Sequence, residues 1–118
     1  MNVLERAKAH FDAQGVTRIE VPEWPDEKGN PTVMFSQPFT LGDRKKLAKF
    51  AQEDDLEFIV RMVIMKCEDE SGETVFDLSD KPTLMNKVDP NIIARIAAEI
   101  TTAPSQEEMS GNLPTIQS

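Results

Sequence analysis

Chemistry in this chain would have to start from His10, Cys67 or the acidic run Glu68, Asp69, Glu70, Glu73 and Asp77. His10 is the only histidine, which excludes a two-histidine zinc site or a paired-histidine metalloprotease helix within one chain. A lone histidine on an amphipathic helix, without a partnered base or acid, reads as a surface or core-edge residue. Cys67 falls on an apolar helix face, where a thiol behaves as a small, unreactive hydrophobe. Placing the acidic run on a calcium loop, with Gly72 sixth, puts Cys67 first and Leu78 twelfth, where an oxygen donor and a bidentate glutamate are required. The loop fails at both anchors, so the run reads as a solvated turn after a helix. No glycine-rich phosphate loop, G-x-S-x-G or C-x-x-C occurs. The expectation is a protein that is not an enzyme, with no catalytic residue, metal or cofactor.

Charge narrows the partners. Thirteen basic and twenty-one acidic residues give a formal net charge of −8, which repels nucleic-acid backbones and anionic membrane surfaces. The most apolar window, FIVRMVIM, is too short to span a bilayer and is split by Arg61. The amphipathic start MNVLERAKAHFDAQG has no signal-peptide pattern, and a single cysteine forms no internal disulfide, so a cytosolic protein is expected.

A length of 118 residues suits one domain. Val3, Leu4, Ala7 and Phe11 share a helical face that Gly15 terminates. VTRIEV and PTVMFS read as the strands of a hairpin near 16–36, with Pro22, Pro25 and Pro31 restricting the pairing and putting one strand at an edge. Thr40 and Asp43 form a capping pattern for a helix with Leu47, Phe50 and Ala51 on its stripe. DDLEFIVRMVIMKCE has acids in front and Lys66 behind, the order that the helix dipole favours. Asp80 and Pro82 open a short helix, and Asp89 with Pro90 opens the last one, NIIARIAAEI. The fold expected is mainly α (α+β): a single domain over 1–100 with four to five helices and a short N-terminal β-hairpin, followed by a flexible polar tail over 101–118.

The helix from Asp54 to Cys67 is apolar on two sides. Leu56, Ile59, Val60, Val63, Ile64 and Cys67 share one broad face, and Phe58, Met62 and Met65 form a second one opposite. Such a helix is buried on both sides, either at the centre of its own domain or with one face against another chain. A central core helix is the commoner outcome. The methionines leave the second open, since flexible thioethers suit surfaces that repack against partners. Ala94 and Ala98, behind the isoleucine face of the last helix, read as plain helix formers. Trp24, between Pro22 and Pro25, either caps the hairpin against the first helix or stands at a subunit contact, where tryptophans are enriched. Candidate partner-binding residues are therefore Phe58, Met62, Met65 and Trp24.

The order of these features resembles the tail assembly chaperones of long-tailed bacteriophages. The V-P-E-W strand end, the threonine-leucine pair Thr40–Leu41 opening a helix, and the D-E-x-G-x-x-x-F turn from Asp69 to Phe76 carry the resemblance, which runs over roughly Val16 to Ile100. It implies a chaperone that binds the hydrophobic tape measure protein, keeps it soluble and promotes tail tube assembly. It also implies self-association, a longer frameshifted form that recruits the tail tube protein, residence in the host cytoplasm and absence from the mature virion. Two other classes compete: an enzyme using the acidic turn with a divalent ion, and an acidic interaction protein that mimics nucleic acid to block a basic partner.

Overall fold

A computed structural model describes residues 2–51 and 55–102. Five α-helices follow the chain with a two-stranded antiparallel hairpin inserted after the first: α1 (Val3–Gln14), β1 (Thr17–Pro25), β2 (Pro31–Ser36), α2 (Leu41–Ala51), α3 (Asp55–Lys66), α4 (Lys81–Asn86) and α5 (Pro90–Thr101), with a 3-10 turn (Leu78–Asp80) before α4. This is the mainly α fold with an N-terminal hairpin that the sequence pattern predicts. The last helix includes Thr101, and the tail expected beyond it lies, from residue 103 on, outside the described residues.

Local chemistry sets the element ends. The Asn2 side chain accepts from the Glu5 amide at 2.8 Å and Glu5 returns the bond, capping α1, and Gly15 at φ 68° ends it. Thr40 and Asp43 cap α2 in the same reciprocal way, at 2.9 and 3.1 Å. Asp89 accepts from the Asn91 amide at 2.9 Å with Pro90 in the first turn of α5.

The hairpin pairs Thr17 with Ser36 through Val21 with Thr32, then breaks register before Pro25 meets Pro31. Asp26 closes the connection by accepting from the amides of Lys28 and Asn30. Alternation buries Ile19 and Val21 on β1 and Met34 and Ser36 on β2, while Arg18 and Glu20 face outward and pair with each other. Phe35 also exchanges two backbone hydrogen bonds with Glu68, so the chain leaving α3 extends the sheet by a single bridge.

α3 is the centre of the molecule, packed between α2 and α5. Val60, Met62, Val63 and Cys67 join Leu47 of α2, Leu84 of α4 and Ile92, Ile93, Ile96, Ala97 and Ile100 of α5 in one core with the inner face of the hairpin. Lys66 is drawn into this interior, only 8% exposed; its ammonium lies 2.9 Å from Asp43 and 3.4 Å from the Pro38 carbonyl, locking α2 onto α3. Burial by itself would raise the Asp43 pKa, but the bonds it accepts from Lys66 and from the Thr40 amide outweigh that and hold the carboxyl below its usual range. α1 stands apart from this core: none of its residues is buried, and Val3, Leu4 and Phe11 remain exposed.

Candidate partner-binding surface

The four candidate partner-binding residues do not form one surface. Met62 is 4% exposed and belongs to the core, so the second apolar face of α3 is not a free stripe. A helix apolar on two sides has been buried on two sides, and Met62 could meet a partner only if α3 moved. Phe58 and Met65 are half-buried against the same core, Met65 in a groove with Leu47, Phe50 and Ile64.

Trp24 does not cap the hairpin against α1, which buries nothing. The indole is half-buried, lining a hollow with Phe76, Leu84 and Val88. Its neighbour Glu23 is tied to the last helix. Arg95 of α5 donates from both terminal nitrogens to the two Glu23 oxygens at 2.7 and 2.8 Å, a bidentate pair that ties the V-P-E-W end of β1 to the last helix. The hydrogen bonds from Arg95 hold the Glu23 pKa down to about 2, from an ordinary value of 4.5. The unfolded chain therefore takes up this proton first as pH falls. Stability from the pair is fully present above about 4.5 and drains away as pH falls toward about 2. A carboxyl-carbon titration by NMR should give a Glu23 midpoint near 2 in the native chain and an ordinary one in Arg95→Gln; an ordinary midpoint in both would contradict the pairing.

Cys67 and Asp69 are both committed to the fold. Burial, reinforced by the charge of Glu68, pushes the Cys67 thiol up to about 12. A thiol reagent should leave the native chain unlabelled and label it fully in denaturant; rapid native labelling would show that this part of the core opens. In the acidic turn, Asp69 accepts from the Ser71 amide and hydroxyl and from the Glu73 amide at 2.7–3.1 Å, and Gly72 takes φ 89°. The carboxylate is spent on closing a turn. Glu57 likewise bridges Arg61 at 2.8 Å and Lys81 at 2.5 Å, joining α3 to α4. Among the described residues no three His, Cys, Asp or Glu side chains converge on a metal-sized site, and no helix is long and apolar enough to cross a membrane.

What stays uncovered is an apolar groove of about 140 Å³ where α3, α4 and α5 meet, lined by Leu56, Ile59, Val60, Leu84, Met85, Val88, Pro90, Ile93 and Ala94. Among the described residues no charged side chain lines it. Leu56 and Met85 on its rim are 59% and 37% exposed, and Ala94 keeps the α5 side low. The groove exists because α4 has only six residues and cannot cover the first two turns of α3. Sequence periodicity placed Leu56 on the core-facing side of α3 and gave Met85 no role. A very short helix beside a long apolar one was the available signal. Comparison with protein-family models, curated proteins and solved structures finds no match for the chain.

Proposed function

We propose that this protein is a tail assembly chaperone of the long-tailed bacteriophage type: a binding protein, not an enzyme, that holds apolar helical segments of a tape measure protein in solution and promotes tail tube assembly. The observation that carries the proposal is the open, mainly apolar groove between α3, α4 and α5, on the surface of a chain with net charge −8. An amphipathic or apolar helix binds by laying its side chains into such a groove, and the surrounding negative charge keeps a protein with exposed apolar surface from precipitating. The order of sequence features from the V-P-E-W strand end to the last helix supports the same assignment. The uncovered apolar side of α1, with Val3, Leu4 and Phe11, is surface available for self-association. The chaperone would act in the host cytoplasm, be missing from the finished virion, and recruit the tail tube protein through a longer frameshifted form.

The test is co-expression with the tape measure protein of the same genome, followed by size-exclusion chromatography with light scattering. A stoichiometric complex, with the client insoluble when expressed alone, is expected. A client that stays insoluble while this chain elutes by itself would overturn the proposal.

A further inference from the structure

The hairpin leaves one strand edge open. The Phe35 amide donates to the Glu68 carbonyl at 2.8 Å, and the Phe35 carbonyl accepts from the Glu68 amide at 2.7 Å, both on the side of β2 away from β1. In an antiparallel ladder the main-chain groups of two residues directly opposite each other turn either both toward the partner strand or both away from it. Arg18, opposite Phe35, therefore turns its amide and carbonyl away from β2, and Glu20 does the same two residues on. Among the described residues β1 pairs with β2 alone, and no main-chain bond from Arg18 or Glu20 leaves the hairpin. Their side chains stand on the solvent face of the sheet, 57% and 49% exposed, while Ile19 and Val21 are buried on the other face. An open edge takes up another strand through its main chain, and the side chains brought opposite one another decide which strand fits.

The charges on this edge complement themselves. We propose that the free edge of β1 is a contact between two copies of this chain, paired antiparallel about a two-fold axis at Ile19 into one continuous sheet. In that register Arg18 of each copy lies opposite Glu20 of the other, so each pair exchanges both of its outward main-chain hydrogen bonds and sets opposite charges face to face. Other registers are worse. A slip of two residues puts Arg18 opposite Arg18 or Glu20 opposite Glu20. A slip of one sets these residues against Ile19 or Val21, whose main-chain groups already turn toward β2, and sends apolar side chains to the wrong face. Pro22 takes the next outward position on β1 and, with no N–H to give, limits the ladder there. A sheet of two strands is marginal by itself, and this pairing gives β1 a strand on both sides. The contact uses the same patch on both copies, so it closes on itself and stops at a dimer through this edge. It uses none of the α3/α4/α5 groove residues and not the apolar side of α1, and it stands independently of the proposed chaperone function.

The experiment is sedimentation velocity on the full chain over a concentration series, with amide hydrogen exchange at both ends of the series. The native chain should form a dimer, and the Arg18 and Glu20 amides should exchange more slowly where the dimer is populated. Arg18→Glu and Glu20→Arg, each at an exposed position and each checked for an unchanged melting temperature, should weaken the dimer about tenfold or more, because both symmetry-related pairs turn from opposite to like charges. Mixing the two variants in equal amounts should restore association, since opposite charges then face each other again in the mixed dimer. Leu4→Gln combined with Phe11→Gln, on α1, should leave the native dimer as it is. Three results would overturn the proposal: a native chain that stays monomeric throughout the series, single charge variants that dimerise as the native chain does, or variants that fail to associate when mixed. A dimer lost in the α1 variant and kept in the charge variants would move the contact to α1.

Discussion

Met62→Lys should leave the protein unfolded at neutral pH, whereas Met65→Gln should leave it folded with a small loss of stability. The two methionines are three residues apart on α3 and look alike in a helical projection, but one is inside and the other lines an open groove. Truncating a buried methionine to alanine costs about 2–5 kcal/mol through lost burial and the cavity left behind. Lysine at that position adds the cost of an unpaired ammonium in an apolar interior, and total stabilities of such domains are only about 5–15 kcal/mol. Circular dichroism melts of the two variants check this. A cooperative Met62→Lys transition near that of the native chain would mean that the second face of α3 is not core.

The second large effect is on binding. Leu56→Glu combined with Met85→Glu should leave the melting temperature nearly unchanged and abolish the proposed soluble complex with a tape measure protein. Both side chains are substantially exposed in the free protein, so their replacement removes little from the fold. Covering an apolar side chain of this size completely is worth roughly 1.5–3 kcal/mol. Losing two, and burying two carboxylates in their place, should weaken the complex about a hundredfold or more. Isothermal titration calorimetry on soluble client segments reads this directly; unchanged affinity in the folded variant would remove the groove from the mechanism.

Elements with a local chemical cause could be read from the sequence. Thr40 with Asp43 and Asp89 with Pro90 opened the helices where they start, because a cap is satisfied within four residues. The double apolar face of α3 indicated a central helix, and α3 is central. Contacts between distant positions were not legible. Periodicity says which side of an element is apolar and not which element covers it, so of the two readings of Trp24, a cap against α1 or a subunit contact, the first fails: its neighbours are Phe76, Leu84 and Val88. Sequence position marks Lys66 as a dipole-compensating end residue, and the structure also buries it on Asp43, twenty-three positions away. The pair Glu23 and Arg95 spans seventy-two positions. The α3/α4/α5 groove is a property of how a short helix meets two long ones, so no single stretch of sequence carried it.

In the proposed function, apolar contact and not charge holds the client. The most direct test of this is the dissociation constant for a tape measure helical segment measured at low and at high salt. The affinity should change little across that range, since burial of apolar surface is not screened. An affinity that falls by orders of magnitude as salt rises, as it does for a protein that meets a partner through many ion pairs, would contradict it and point to an acidic mimic of nucleic acid.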